Sequence, residues 1–434
     1  MKTQIVGIGA GPANLSLASL LYPTGRSNFF FERKKEFSGH PGLQIPNASL
    51  QVSFLKDLVT LADPTNPFSF LAYLHEHGRT YHFLNARFES VTREEFTLYL
   101  KWAACKNGNI HFDEDVLEVD FADDFVVRTN RRVLRSENIS VAVGKVPHIP
   151  DIAASKMGAS MFHTADYMRH NDRLGGKRVA VVGSGQSGAE VFQHLISQKG
   201  ATAPSHVAWI SRRPCFWPLD DSPFTNDLFM PCHQRYFAAL SEPRRRSFLM
   251  DHALASDGIS EATLREIYRE LYLQRFVSGQ DGGVEMLPSR TLTHLIREGS
   301  GWLLRLTHDD MNIPETPRFD VIIWATGYKN APLHFLDPIA HRFQRSDSEI
   351  AVDDAFAAQW DGPRNRAIFL QNAARTQKGL ADPNLSLLAW RSQKIMERLT
   401  GLPSRTEPVP SVISWGPVPD VLQQAGAEFA SALC

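Results

Sequence analysis

Two glycine-rich runs in this chain have the spacing of a turn that brings backbone against a phosphate. The first is Gly7-x-Gly9-x-Gly11-Pro12, entered from a short β-rich run and followed by a helical pattern of Leu15, Leu17, Ala18, Leu20 and Leu21. Glycines allow the tight turn and a close approach to a pyrophosphate, and the following helix offers free N–H groups and a partial positive charge. Pro12 stands where a third glycine is usual; in the first helical turn its missing N–H forfeits no intrahelical bond. Phe29-Phe30-Phe31 reads as the next strand and ends in Glu32, an acid able to accept from ribose hydroxyls. A carboxylate there repels a 2′-phosphate, so this turn suits FAD or NAD better than NADP. The second run, Gly183-x-Gly185-x-x-Gly188 with Gln186 and Ser187 inside it, has the full spacing after a strand from Val179 to Val182. Its next strand ends in Ser211-Arg212-Arg213, and paired guanidiniums suit the 2′-phosphate of NADPH through planar two-point hydrogen bonds. The plainer alternative is a solvated strand end, and one glycine turn alone is weak evidence. The pair, one closed by an acid and one by arginines, implies an FAD site and an NADPH site. Ala325-Thr326-Gly327-Tyr328, after an apolar strand, reads either as a plain buried strand and turn or, beside two glycine turns, as the turn returning the chain from the second nucleotide unit to the first, with Thr326 and Gly327 near a cofactor.

Such turns need parallel sheets with helices packed on them, so the expected fold is α/β with two Rossmann-like dinucleotide-binding domains. The expected division is 1–168 for the first part of the FAD domain and 169–317 for the NADPH domain, with a helical insertion at about 214–280. Residues 318–434 then return to the FAD domain and include a C-terminal helix bordering the substrate. In the insertion Leu264, Ile267, Tyr268, Leu271 and Tyr272 share one helical face, expected as core or subunit contact. The stretch from Pro403 to Pro419 is proline-rich and expected to run extended over the surface.

The chain's 434 residues can bury two or three cores, and its 43% hydrophobic and 21% charged residues are ordinary for a globular protein. A formal net charge of -1 gives no electrostatic case for nucleic acid or an anionic membrane, so small molecules are the expected partners. No run approaches the roughly 20 apolar residues of a membrane span, and the N-terminus lacks a signal-peptide pattern. Cys105, Cys215, Cys232 and Cys434 form no CxxC pair, which argues for a cytoplasmic protein without a disulfide framework or zinc site. No metal is expected; the sixteen histidines are dispersed.

Residues 40 to 73, HPGLQIPNASLQVSFLKDLVTLADPTNPFSFLAY, closely resemble the segment behind the FAD turn in the microbial N-hydroxylating flavin monooxygenases, the lysine N6- and ornithine N5-hydroxylases of siderophore biosynthesis. The resemblance continues through Thr92-Arg93-Glu94-Glu95-Phe96, SGQSGAEVF, the run from Ala255 to Ile259, WATGY, and the run from Gly379 to Leu387. SDGI followed by IYRELY is more similar to the lysine branch. The resemblance implies that NADPH reduces FAD, that reduced flavin and O2 give a C4a-hydroperoxide, and that a terminal primary amine, L-lysine by expectation, attacks its distal oxygen. An amine of pKa about 10.4 must first be held neutral, most simply by desolvation. It further implies that His40 and Gln51 lie against the flavin, that Lys56 holds a substrate carboxylate, that Asn226 and Asn372 border the same pocket, and that Ser386 lies near the substrate. No side-chain nucleophile is required. A dimer or tetramer is expected by the same resemblance. Lys56 could instead pair with Asp57 or a surface carboxylate, Asn372 could be a turn residue, and Ser386 a cap or core hydroxyl. The chain departs from the family pattern at Gly39, where an aromatic is usual, and at Gln377-Lys378, so flavin packing at Gly39 is expected to be looser. Ornithine, cadaverine or putrescine remain alternative substrates. A flavin disulfide reductase, which needs a cysteine pair, and an NADPH oxidase are alternative classes.

Overall fold

The strand Lys2–Ile8 pairs in parallel with Asn28–Glu32 on one side and Val133–Val141 on the other, and it is buried along most of its length. Strands covered on both faces need the near-continuous apolar runs found here. The computed structural model describes residues 2–88, 90–279, 283–346, 348–403 and 411–416. Most of the proline-rich tail and Cys434 lie outside them. Among the described residues the first sheet runs Ile110–Phe112, Asn28–Glu32, Lys2–Ile8, Val133–Val141, Phe125–Thr129, Val116–Phe121, with Ile368–Leu370 parallel to the end of Val133–Val141. Both ends of the sequence therefore build this unit. The helix Pro12–Leu21 packs Leu17, Ala18 and Leu21 with Ile395 of the helix Leu388–Thr400, closing one face.

The second sheet is wholly parallel among the described residues, in the order Val284–Leu287, His206–Ile210, Arg178–Val182, Val321–Trp324, Met161–His163. Met161–His163 and Val321–Trp324 lie outside the 169–317 span expected from the sequence. Pairing partners far apart in the chain, not local pattern, assign a strand to a sheet. The insertion is helical as expected, with Pro231–Ala239, Glu242–Asp251 and Glu261–Tyr272 its longer helices. In Glu261–Tyr272, Ile267 is buried and Leu264 and Leu271 pack on the second core, whereas Tyr268 and Tyr272 are exposed, so the five-residue face is not one core stripe. No helix among the described residues is long and apolar enough to cross a membrane. Cys105, Cys215 and Cys232 are free thiols.

The chain crosses between the two units twice, and the crossings lie side by side: Lys145–Pro147 pairs antiparallel with Tyr328–Asn330. The N–H of His148 donates to the Gly327 carbonyl at 2.9 Å, and the Thr326 hydroxyl donates to the His148 carbonyl. The edge strand Met161–His163 ends at a buried imidazole. Burial pushes the pKa of His163 down to about 4, and that of His233 likewise. An unfolded histidine titrates near 6.5, so the stability these neutral rings carry is complete above about pH 6.5 and is lost as pH falls towards 4. His163→Asn should flatten the fall in Tm between about pH 6.5 and 4.5, seen in thermal melts across that range; an unchanged slope would remove His163 from the account.

Candidate active site

Both glycine turns are pressed from behind and open in front. Gly9 has φ +84, and a Cβ on it would stand 2.6 Å from the Ala142 carbonyl oxygen. Gly183 has φ +126, and its Cβ would stand 2.3 Å from the carbonyl oxygen of Ala325, while a Cβ on Gly188 would meet the Gly183 carbonyl at 2.4 Å. These positions exclude any side chain. Gly11 and Gly185, by contrast, face open space, and each precedes a helix N-terminus that no side chain caps, Pro12–Leu21 and Gln186–Ser197. An open glycine before uncapped N–H groups fits a diphosphate. Glu32 spans the mouth of the first turn: one carboxylate oxygen accepts from the Ala10 N–H at 3.0 Å, the other from the Lys34 N–H at 3.1 Å. Each oxygen retains a lone pair for a hydroxyl. At the second turn Arg212 is exposed and makes no hydrogen bond or ion pair among the described residues. Arg213 is committed, donating to the Asp257 carbonyl at 3.2 Å.

Between the turns, Gln51 is exposed and reaches across to Gln186 of the second unit at 3.3 Å. The imidazole of His40 stacks obliquely on Tyr328, 5.9 Å between ring centres, and is held towards its neutral form by the surrounding protein and by the cations Arg93 and Lys34. Asp57 does not pair with Lys56: its carboxylate accepts from the N–H groups of Val59, Thr60 and Phe70 and from the Thr60 hydroxyl. The Lys56 ammonium, half-buried, has no hydrogen bond or ion pair among the described residues; it stands 6.0 Å from the Phe229 ring centre, and burial lowers its pKa. Phe229 belongs to an apolar cluster with Leu228, Ala255, Leu380, Leu387 and Trp390, which joins the insertion to the segment holding Ser386. Asn226 begins that stretch, exposed, its amide donating to the Asp221 carbonyl at 2.8 Å. Ser386 is buried, and its hydroxyl donates to Asn384 at 2.8 Å.

Other expected residues bond within the fold. Asn372 is a left-handed turn residue, φ +60, and its amide oxygen accepts from Arg391, a guanidinium buried with Asp382. Thr326 likewise spends its hydroxyl on the crossing. At Gly39 a Cβ would stand 2.7 Å from Thr97 Oγ1 and 3.1 Å from Gln44 Nε2, two side chains bonded to each other at 2.9 Å. The space is thus filled rather than loose. Gln377 and Lys378 turn inward: the Gln377 amide holds the backbone of Ile350 and Val352 at 2.9 Å each, and Lys378 pairs with Asp354.

Sequence reasoning missed an ion pair between the two units. Arg93 forks onto Glu190 with two hydrogen bonds of 2.7 Å. Arg93 is visible in sequence only as part of a matching run; nothing local announces its partner. A cavity of about 500 Å³ lies at the carboxyl edge of the first sheet, lined by Val141, Val143, Gly144, Lys329, Leu370 and Gln371 among others. Neither Lys56 nor either glycine turn lines it, so it adjoins the site without forming it. No three His, Cys, Asp or Glu side chains among the described residues are grouped to hold a metal.

Comparison with known proteins shows the family and the fold. A family model described as L-lysine 6-monooxygenase/L-ornithine 5-monooxygenase matches residues 2–330. The chain is 37% identical to an L-lysine N6-monooxygenase of Escherichia coli over 405 residues, 92% of this chain and 95% of that protein. Among solved structures it resembles an FAD-bound cadaverine monooxygenase of desferrioxamine biosynthesis from Erwinia amylovora, with TM-score 0.89, 27% identity, and 96% and 99% of the two chains covered. It also resembles an ornithine N-hydroxylase from Kutzneria sp. 744 with reduced FAD, NADP+ and L-ornithine, with TM-score 0.85, 28% identity, and 92% and 99% covered.

Proposed function

Because this chain belongs to the L-lysine 6-monooxygenase/L-ornithine 5-monooxygenase family, and so to the N-hydroxylating monooxygenases of siderophore biosynthesis, we propose that it hydroxylates the terminal amine of L-lysine with FAD, NADPH and O2. The observation that carries the choice of an amino acid is the ammonium of Lys56, which has no counter-ion among the described residues. A half-buried cation without a counter-ion favours an anionic ligand, and a substrate carboxylate is one. FAD, reduced by NADPH, supplies the oxygen transfer from O2. The protein's part is binding, orientation and exclusion of water. The Gly9–Pro12 turn and Glu32 hold the FAD diphosphate and ribose, and Gly183, Gly185, Gln186, Ser187 and Gly188 hold the coenzyme diphosphate. Gln51 and His40 flank the flavin. Lys56 anchors the carboxylate, while the apolar wall of Phe229 and Leu387 favours the neutral amine by desolvation. Anchoring one end makes substrate length a selector, with one methylene worth about 1–3 kcal/mol.

A diamine is the second reading, favoured by the likeness to the cadaverine enzyme. Purified FAD-loaded protein should be offered lysine, ornithine, cadaverine and putrescine separately, with hydroxylamine formation measured beside NADPH consumption. Lysine is expected to give hydroxylamine matching NADPH used. Product from a diamine alone would replace lysine; H2O2 release with all four would overturn amine hydroxylation on this panel.

Of the two arginines, Arg212 has its guanidinium available, so it is the one expected to set coenzyme choice. Arg212→Ala should raise KM for NADPH by about 10–100-fold and leave KM for NADH nearly unchanged, since a charge-assisted contact contributes roughly 1.5–3 kcal/mol. Equal changes with both coenzymes would refute this role.

A further inference from the structure

The two nucleotide units are joined by more than the paired crossings. Arg93 opens the helix Arg93–Lys106 of the first unit, where the Thr92 hydroxyl caps the turn by accepting from the Glu95 N–H and the Arg93 N–H donates to the Ala48 carbonyl at 2.8 Å. Its backbone is thereby fixed. Its guanidinium also donates to the Leu43 carbonyl at 3.3 Å, in the segment between His40 and Gln51. Across the interface Glu190 lies one turn into the helix Gln186–Ser197, and its carboxylate also accepts from Gln186 Nε2 at 2.8 Å. Gln186 Oε1 accepts from the Ser260 N–H at 2.8 Å and from Gln51 at 3.3 Å. The pair is sheltered, with side-chain exposures of 20% for Arg93 and 5% for Glu190. Beside it the Tyr328 hydroxyl, buried and without a hydrogen-bond partner among the described residues, lies at the end of the second crossing.

From this geometry we infer that the Arg93–Glu190 fork is a positioning device: it sets the helix behind the coenzyme turn against the 40–56 segment, and so the distance over which hydride passes. The inference rests on the FAD and NADPH reading above. The step concerned is transfer of a hydride, two electrons with one proton, from NADPH to FAD, leaving NADP+ and giving FADH−. Two antiparallel crossings alone allow one unit to rock on the other about the ribbon they form. Beside the Tyr328 end of that ribbon, where Leu43 and Ile45 also pack into the second core, the two-point fork fixes the angle of the helix against the 40–56 segment, because a planar guanidinium meets a carboxylate in one orientation. A misplacement of about 1 Å between reacting groups can cost on the order of 100-fold in rate.

The test uses the full-length enzyme with Arg93→Lys, which keeps the charge but not the fork, and Glu190→Gln, which keeps the bond to Gln186. Four quantities are measured: FAD affinity, NADPH affinity, the anaerobic rate of flavin reduction at saturating NADPH, and the solution scattering of the FAD-free protein. The expected result is a 10–100-fold slower reduction in both variants, with both affinities within about threefold, FAD still reduced by dithionite, and a broader scattering distance distribution. The exchanged pair Arg93→Glu/Glu190→Arg should recover at least part of the rate. Reduction at the wild-type rate in both single variants would overturn the inference. So would loss of FAD and NADPH binding together with the rate, which marks general damage. A wild-type flavin that NADPH does not reduce would sink the coenzyme reading itself, a failure distinct from that of the fork.

Discussion

Replacing Lys56 with alanine should raise KM for L-lysine by about 10–100-fold and leave KM for cadaverine within about a factor of two. The expectation follows from what surrounds the ammonium. Asp57, its neighbour and nearest potential counter-ion in sequence, is occupied by four donors of the 59–70 segment. Lys56 is left half-buried over the Phe229 ring with no anion to meet it among the described residues. A charge-assisted hydrogen bond to a substrate carboxylate there contributes roughly 1.5–3 kcal/mol, which is the fold-change stated. Cadaverine has no carboxylate, so it has nothing to lose. Because the anchored end also places the amine, lysine turnover should fall and H2O2 release should rise in the variant. Burial lowers the pKa of Lys56, so the free enzyme loses this positive charge at a lower pH than an exposed lysine would. Carboxylate binding therefore weakens on the alkaline side, and Lys56→Arg should move that limb to higher pH, since guanidinium stays charged. Initial rates with both substrates across pH, scored as hydroxylamine formed, decide the matter. Equal losses for lysine and cadaverine would remove Lys56 from carboxylate binding.

Arg391→Met should cost about 3–5 kcal/mol of stability. Arg391 and Asp382 have side-chain exposures of 1% and 0% and lie 3.3 Å apart. Burial pushes the pKa of Asp382 up and that of Arg391 down, in each case against the attraction of the other. The guanidinium also donates to the Asp382 carbonyl at 2.6 Å, to Gln371, and to Asn372. Gln371 in turn donates to Asn14 at 3.0 Å, and Asn14 donates to the Gly9 carbonyl at 2.7 Å. One buried chain of hydrogen bonds thus runs from the first glycine turn to the segment before Ser386. Removing the arginine strands a buried carboxylate, whereas removing both charges together does not. Arg391→Met/Asp382→Asn should therefore recover at least half the loss. Thermal and urea melts of the FAD-free variants measure it; a single variant within about 1 kcal/mol of wild type would deny the pair this role.

Gln377-Lys378, where the chain departs from the pattern of related sequences, shows how far position alone carries. Both residues sit where the match puts them in the chain, yet both side chains turn away to hold residues 350–354. Gly39 is similar: a missing aromatic suggested slack, and a bonded Gln44–Thr97 pair fills the space instead. A missing side chain says nothing about which neighbour moves in.

What the sequence determined by itself is whatever is encoded over a few consecutive residues. The two glycine turns, the acid closing the first strand pair and the arginines after the second all depend on local backbone freedom and charge, so their types and spacing announce them. The helical character of the insertion and the parallel α/β class were legible for the same reason. Tertiary structure alone decided the rest. It put Met161–His163 and Val321–Trp324 into one sheet, bonded Asn372 to Arg391, left Lys56 without a counter-ion among the described residues, and set Arg93 opposite Glu190. Each of these depends on a partner far away in the chain, and a charge or strand edge carries no record of its partner until folding brings the two within hydrogen-bonding distance.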